Sequence, residues 1–477
     1  SPGKRIQISN SPSEHILQTD SYDFYKRYEV DKVNLLREYA RLGAGQIWLD
    51  ELITGTSRNV DMTNIFKVDN AVAGATGTVK MAFAVRSKSK STIQMKADNQ
   101  TSDISFGTTY IEDSESRVAS YNSGKLPFTQ KGGQLNISYS FPQVATESLG
   151  WPDYAEINVR RYLTKSQEPI FFRLNNPGIS GNIQYILNDL PNDAAIWDIT
   201  NLFNIYRFPL NIVNGKGDIT APYPQQREFI CFSASDIKVP QKIGLVEAQN
   251  IHGLSTPDMV IVYHQKFADE AKQYAAYRGK TSGINVVAID IEQIKNEFSG
   301  GAQDPTGIRD MARMFYSRDP NVFKYLLLFG DGSYDYKDLT FTSVSNKVNS
   351  NYIPVYEYPR SIFDPIRSIP SDDYYGFLDE NEGEIENGAI DVFVGRFPIQ
   401  DKSQAQSIIN KVKTYETNKE TYGDWRNNLM LISDDWDNAT SDNFIVQSER
   451  LFTKIKAAYP MLNFSKIFFE VIVVSVS

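Results

Sequence analysis

From residue 257 onward the chain alternates short, continuous apolar runs with amphipathic helical stretches, and few folds tolerate that pattern. Asp258-Met259-Val260-Ile261-Val262-Tyr263 lacks the polar alternation of a half-wetted strand, so it reads as a strand buried on both faces. A helix follows with Phe267, Ala271, Tyr274, Ala275 and Arg278 at helical spacing, and Gly283 closes it. A second buried strand is Ile284-Asn285-Val286-Val287-Ala288-Ile289. Asp304-Pro305 then opens another helix, with Asp as N-cap, Pro at the first helical position, and Ile308, Met311, Ala312 and Phe315 along the apolar stripe. Tyr325-Leu326-Leu327-Leu328-Phe329 and Ile390-Asp391-Val392-Phe393-Val394-Gly395-Arg396-Phe397 continue the series, the latter followed by a helix whose inward positions are Ala405, Ile408, Ile409 and Val412. Strands alternating with helices must pair in parallel through right-handed crossovers. Function is expected at the carboxyl ends of such strands.

Upstream the grammar differs. Between about 46 and 256, period-two segments such as Gly77-Thr78-Val79-Lys80-Met81-Ala82-Phe83-Ala84-Val85 recur between Gly, Asn, Ser and Pro turn signals, which predicts an antiparallel β-sandwich. Residues 1–45 are polar and read as the remnant of a preceding domain. The expected architecture is therefore multidomain: a β-sandwich at 46–256 and a parallel α/β unit at 257–424. A second α/β unit begins at 425–477 with strand Leu429-Met430-Leu431-Ile432, a helix near 442–458 and strand Lys466-Ile467-Phe468-Phe469, and is expected to be truncated.

Composition removes several functions. A formal charge of −9 with no Lys/Arg block leaves nothing to neutralise a phosphate backbone. One cysteine, Cys231, precludes an internal disulfide and a thiolate-rich metal site. Its setting, Phe229-Ile230-Cys231-Phe232, is apolar and predicts an inert, buried thiol. The only imidazoles, His15, His252 and His264, are scattered; His264 just past a parallel strand reads as a capping or surface residue. No apolar run approaches the ~20 residues of a membrane span, and the start of the chain has no signal-peptide pattern.

Gly330-Asp331-Gly332-Ser333-Tyr334-Asp335 lacks both the Lys of a P-loop and the third glycine of a dinucleotide fingerprint, so it reads as a tight turn at a strand end. The acidic loops Asp372-Asp373-Tyr374-Tyr375-Gly376 and Asp434-Asp435-Trp436-Asp437 offer oxygen ligands that could take Ca²⁺, without the full spacing of a known calcium loop, and a solvated acidic loop is the simpler reading. Asp435 lies just past the carboxyl end of an apolar strand. A carboxylate there could orient and stabilise an imidazolium from a later strand, or serve as a helix N-cap or salt-bridge partner.

An ordered set of segments resembles one family. It runs from Trp151-Pro152-Asp153-Tyr154 and Arg160-Arg161-Tyr162-Leu163 through Trp197-Asp198-Ile199-Thr200, Gln249-Asn250-Ile251-His252 and Asn296-Glu297-Phe298-Ser299-Gly300. It continues with Asp304-Pro305-Thr306-Gly307-Ile308-Arg309, Leu327-Leu328-Phe329-Gly330-Asp331-Gly332-Ser333-Tyr334-Asp335, Asp372-Asp373-Tyr374-Tyr375-Gly376, Gly395-Arg396-Phe397-Pro398 and Trp425-Arg426-Asn427. Together they cover most of 28–469 and resemble the gingipain-like cysteine peptidases, peptidase family C25, and within it the sortases of the type IX secretion system of Bacteroidota. The resemblance implies a caspase-like fold, with a first α/β subdomain (257–424) that lacks catalytic residues and a second, from 425, that bears a Cys/His pair. It implies that this His and Cys, carried by a Gly-His-Gly and a Cys-containing strand end, are not in this chain. Asp435 matches the acid that supports the catalytic His, and Asp442 falls near a specificity-pocket acid. The tail Glu470-Val471-Ile472-Val473-Val474-Ser475-Val476-Ser477 departs from the acidic, Gly/Ser-rich loop usual there.

The function implied is removal of a carboxy-terminal signal from exported cargo and attachment of that cargo to the cell surface. Its partners would be the cargo proteins and an outer-membrane shuttle protein, at the cell surface. Two other readings compete: a non-catalytic surface-binding or scaffold protein with a degenerate peptidase domain, and a carbohydrate-binding sandwich. The last would need Trp48, Trp151 and Trp197 as an aromatic platform, and these read as core residues.

Overall fold

The computed structural model describes residues 5–39, 45–53, 58–110, 116–142, 148–166, 168–175, 180–223, 226–339, 350–358, 363–365, 368–383, 388–434 and 444–469. Two β-sandwiches precede the α/β region. In the first, a sheet ordered Ser21–Glu29, Leu149–Tyr162, Thr76–Arg86, Ser120–Thr129 faces one ordered Asn59–Asp61, Ile137–Ser140, Ser91–Ala97, Gln100–Phe106. Val79, Met81, Phe83 and Val85 alternate inward to meet Ile93, Met95, Ile137 and Phe141, and full burial of each such side chain contributes about 1.5–3 kcal/mol. The long strand Leu149–Tyr162 shifts register between Pro152 and Ala155, where proline has no N–H to give to the ladder.

The second sandwich pairs a five-stranded sheet, ordered Gln7–Ile8, Tyr206–Phe208, Ala195–Asp198, Glu228–Phe232, Ile170–Arg173, with a three-stranded sheet, Gly217–Pro222, Asn182–Leu187, Leu17–Thr19. Its core includes Cys231 among Phe172, Tyr185, Phe208 and Phe229. Two outcomes differ from the sequence reading. There are two sandwiches rather than one, and residues before 46 are integral to both: Ser21–Glu29 pairs along its whole length with Leu149–Tyr162, from Glu29↔Tyr154 to Ser21↔Tyr162. The polar character that suggested a remnant belongs to an edge strand, whose outward side chains face water.

We number the α/β strands β1 (Met259–Tyr263), β2 (Val286–Asp290), β3 (Tyr325–Phe329), β4 (Phe393–Phe397), β5 (Asn428–Asp434) and β6 (Asn463–Phe469). The main helices are α1 (Ala268–Ser282), α2 (Ile291–Phe298), α3 (Pro305–Arg318), α4 (Lys402–Thr417) and α5 (Phe444–Ala458). The first four strands form one parallel sheet in the order β2-β1-β3-β4. Val260, Val262, Leu326 and Leu328 pack on the face covered by α2 and α3, while Ile261, Leu327 and Phe329 pack on the face covered by α1 and α4. Burial on both faces is why the central strands β1 and β3 carry no polar alternation, whereas the edge strands β2 and β4, read from sequence as equally buried, are only partly covered.

Gly283 caps α1 at φ +67, a left-handed position where a Cβ would be strained. Asp304 caps α3, its carboxylate accepting from the Thr306 N–H at 2.8 Å. Asp304→Ala is expected to cost about 1 kcal/mol. Hydrogen exchange should register the loss as weakened protection in the first turn of α3, and unchanged protection would refute the cap.

The four-stranded sheet does not continue into the strands after residue 424. β5 pairs with β6, in parallel, as a separate two-stranded sheet, and no pairing joins β5 to β4 among the described residues. Strand alternation explains the exposure: Leu431, Ser433, Phe464 and Phe468 turn towards α5, whereas Met430 and Ile432 point away and are 59% and 62% exposed.

The α/β region docks on the first sandwich. Trp48 stacks on Tyr334 with ring centroids 6.3 Å apart. Phe363 enters a cluster with Leu35, Leu36, Leu49 and Trp151, and its carbonyl accepts from the Val118 N–H at 2.9 Å. Ala84 lies in the same cluster, which accounts for the double-sided burial of the second half of Thr76–Arg86.

Candidate active site

Two places lie at carboxyl ends of parallel strands. The first is the crest of the four-stranded sheet. After β1 the chain turns at His264, whose Nδ1 accepts from the Lys266 N–H at 3.1 Å. Burial holds its imidazole below the ordinary histidine range. The Lys266 ammonium donates to the Tyr352 hydroxyl at 2.7 Å and the Gln400 carbonyl at 2.8 Å, and lies 4.7 Å from the Tyr352 ring centroid. Gln400 Nε2 in turn donates to Asp331 Oδ2 at 2.7 Å, while Asp331 Oδ1 accepts from the Gly332 N–H at 3.0 Å. Gly332 is required here, since a Cβ would stand 2.5 Å from Val355 Cγ1. The chain bends at Gly330, at the strand end where the sequence predicts a tight turn.

Arg396, on β4, ties the crest together. Its guanidinium donates to both Asp372 oxygens at 2.7 Å, to the Gly330 carbonyl at 2.9 Å, to the Ile353 carbonyl at 2.8 Å and to the Pro354 carbonyl at 3.1 Å. The Asp372 carboxylate, offered from sequence as a cation ligand, is thus engaged by a planar fork.

Glu357 sits in a short hairpin, Tyr356–Glu357 against Pro370–Ser371. It is 6% exposed, neither carboxylate oxygen has a hydrogen-bond partner among the described residues, and burial pushes its pKa up to about 7. Elsewhere Asp379, Glu382 and Asp391 bring carboxylate oxygens within 4.8 Å of one another. Those oxygens take backbone donors: Glu382 accepts from the Asp379 and Ala389 N–H groups, and Asp391 from the Leu378 N–H and the Tyr316 hydroxyl. Loop closure explains the cluster.

The second place is the end of β5, where an open pocket of about 400 Å³ is lined by Ile432, Ser433, Asp434, Phe444, Gln447, Ser448 and Leu451. Ser433 and Ser448 share a hydroxyl hydrogen bond across it. The two sequence-derived site residues, Asp435 and Asp442, lie outside the described residues, as does the rest of the acidic loop after Asp434. The pocket wall therefore marks the strand end that the sequence reading selected, without placing either carboxylate.

Neither place contains a thiol. Cys231 is fully buried in the second sandwich, and desolvation pushes its pKa up to about 12. His252, the other imidazole of the α/β region, donates or accepts through Nδ1 with Glu297 at 2.6 Å and stacks on Phe298, a contact that pins the chain entering the domain to α2. Sequence reasoning missed Lys266, Tyr352 and Gln400, since nothing local links three residues drawn from separate loops. Arg396 was visible only as part of Gly395-Arg396-Phe397-Pro398.

Residues 252–475 match the model of peptidase family C25. The α/β region is thus similar to peptidase family C25. The fold of the chain matches the crystal structure of dimeric latent PorU from Porphyromonas gingivalis, with a TM-score of 0.73 at 22% identity over 88% of this chain and 40% of that chain. The chain thus spans about two fifths of the length of that structure. A CBM36-1 domain of a multidomain xylanase from the hindgut metagenome of Trinervitermes trinervoides aligns at 10% identity over 28% of this chain and 96% of its own, but its TM-score of 0.18 carries no structural argument. No curated protein matches the chain. The C25 region contains no cysteine, so its described geometry supplies positioning groups and no thiol nucleophile. No helix among the described residues is long and apolar enough to cross a membrane, which leaves a β-barrel unaddressed.

Proposed function

We propose that this chain is part of a cysteine-type endopeptidase and sortase of the type IX secretion system, one that removes the carboxy-terminal signal from exported cargo and attaches the cargo at the cell surface. The observation that carries the reading is the C25 match over 252–475 on a fold shared with PorU across 88% of the chain. In this proposal the region is caspase-like: β1 to β4 form a non-catalytic first subdomain and β5 opens the second. Asp435 would orient the catalytic imidazole, and Asp442 would face the substrate side chain. Cargo proteins and an outer-membrane shuttle protein are the partners, with Ca²⁺ a candidate structural ion at the acidic loops. In thiol chemistry of this class, the imidazole takes the thiol proton, the thiolate attacks the scissile carbonyl, and the acyl group passes to water or an amine.

A second reading, a non-catalytic scaffold with a degenerate peptidase domain, draws on the saturated crest, where Lys266, Asp331, Gln400 and Arg396 spend their polar atoms on one another. Two measurements separate the readings. Incubated with a fluorogenic peptide, the 477-residue chain is expected to show no thiol-dependent turnover, because its one thiol is buried with its pKa pushed up to about 12. Thiol-dependent cleavage abolished by Cys231→Ala would overturn the assignment of the nucleophile to another part of the protein. A Gly-His-Gly and a cysteine about thirty residues after it in the gene's continuation favour the peptidase, and their lack favours the scaffold.

A further inference from the structure

The second sandwich turns an organised row of side chains outward. In its five-stranded sheet, Ile196, Phe208, Phe229, Cys231, Ile170 and Phe172 face the core. Strand alternation therefore sends their neighbours to the outer face. Cross-strand register sets four of those neighbours in one line with Ile8, with Ile8 opposite Arg207, Arg207 opposite Trp197, Trp197 opposite Ile230, and Ile230 opposite Phe171. Phe171 is 61% and Ile8 71% exposed. Phe232, from the adjoining row, meets Trp197 edge to face at 4.8 Å and so fixes the indole. Of the three tryptophans that a carbohydrate-binding sandwich would need, Trp48 and Trp151 are core residues, as read from sequence, but Trp197 is not.

We infer that this row is a binding platform for an extended acidic oligosaccharide. Three observations select that occupant. Trp197 and Phe171 sit two strands apart, about 10 Å at the usual inter-strand spacing, which matches the distance between alternate rings of an extended sugar chain. The exposed Arg207 guanidinium, next to Trp197 in the row, makes no ion pair among the described residues, so the platform pairs an apolar stacking surface with an unspent positive charge. Arg173, in the neighbouring row, is by contrast neutralised by Glu228 at 2.9 Å. Finally, one row of five side chains is far narrower than the 20–30 residues a side of a standard protein interface. An aromatic face beside a cation that makes no ion pair among the described residues suits pyranose rings carrying carboxylate or phosphate groups. The inference stands apart from the peptidase reading and draws on no residue of the C25 region.

The test is an array of uronate-, sialate- and phosphate-bearing oligosaccharides beside neutral ones, probed with the full chain and three variants. The unaltered chain is expected to retain acidic glycans in preference to neutral ones. Phe171→Ala and Trp197→Ala should each weaken that binding on the order of tenfold, and Arg207→Gln should erase the acidic preference while leaving residual stacking. Phe171 is exposed enough for its variant to stay folded, so the test does not hang on Trp197 alone. Silence of every acidic feature, equal binding of acidic and neutral chains, or binding that survives both aromatic variants overturns the inference. So does a reversible dimer in sedimentation that Phe171→Ala dissolves, which would make the face a contact between protein chains.

Discussion

Arg396→Ala is expected to destabilise the four-stranded sheet of the C25 region by about 3–5 kcal/mol, the largest effect of any single substitution considered for this chain. The guanidinium is 11% exposed and fills its donors with two carboxylate oxygens and three backbone carbonyls from β3's end and the 350–354 segment. Truncation strands the Asp372 carboxylate and removes the Arg396 donor from the Gly330 and Ile353 carbonyls, while the Pro354 carbonyl keeps the Tyr375 hydroxyl, and an abandoned partner costs more than the bond itself contributed. Arg396→Lys keeps the charge but not the fork, so it should recover only part of the loss. Denaturant titration followed by hydrogen exchange of Tyr325–Phe329 reads the effect directly. A loss below about 1 kcal/mol for the alanine variant would show that the crest holds without its clamp.

The second large effect is a pH dependence centred on Glu357. Burial raises its folded-state pKa from the ordinary 4.5 to about 7, with no charged neighbour contributing among the described residues. Below about 4.5 the carboxyl is neutral in both states and its contribution to stability is fully present. As pH rises, the unfolded chain ionises first, so stability falls until the folded group ionises near 7 and then levels off. The separation of the two values corresponds to about 3 kcal/mol. Glu357→Gln should therefore unfold with little change at pH 4.5 but gain on the order of 3 kcal/mol at pH 8. Equal stability changes at both pH values would mean that the carboxylate is solvated or paired in the fold. The hairpin it occupies adjoins the crest, and its loosening above pH 7 should appear as faster exchange at Tyr356 and Ser371.

The parallel α/β unit was legible because each of its parts announces itself locally. Val260-Ile261-Val262, Leu326-Leu327-Leu328, the Asp304-Pro305 start and the Gly283 stop each have one natural structural reading, and all four agree. Ser21–Glu29 was not legible. An edge strand shows water one face and one unpaired edge, so its composition resembles that of a loop until its partner, far along the chain at Tyr154 to Tyr162, is known. Trp197 was misread for a related reason, since period two identifies a strand but not which of its two faces meets the core. The split between one sandwich and two was equally invisible, because alternation is the same whichever sheet a strand joins.

At the candidate site, the sequence pointed to the end of β5 and to acids after it that lie outside the described residues. It also fixed what chemistry the C25 region lacks, since residue types need no fold to be counted. The clamp at Arg396, the buried isolation of Glu357 and the outward row from Ile8 to Phe171 came only from tertiary structure. Each depends on which distant segments share a few ångströms of space, and the local energies that shape helices and strands carry no information about that.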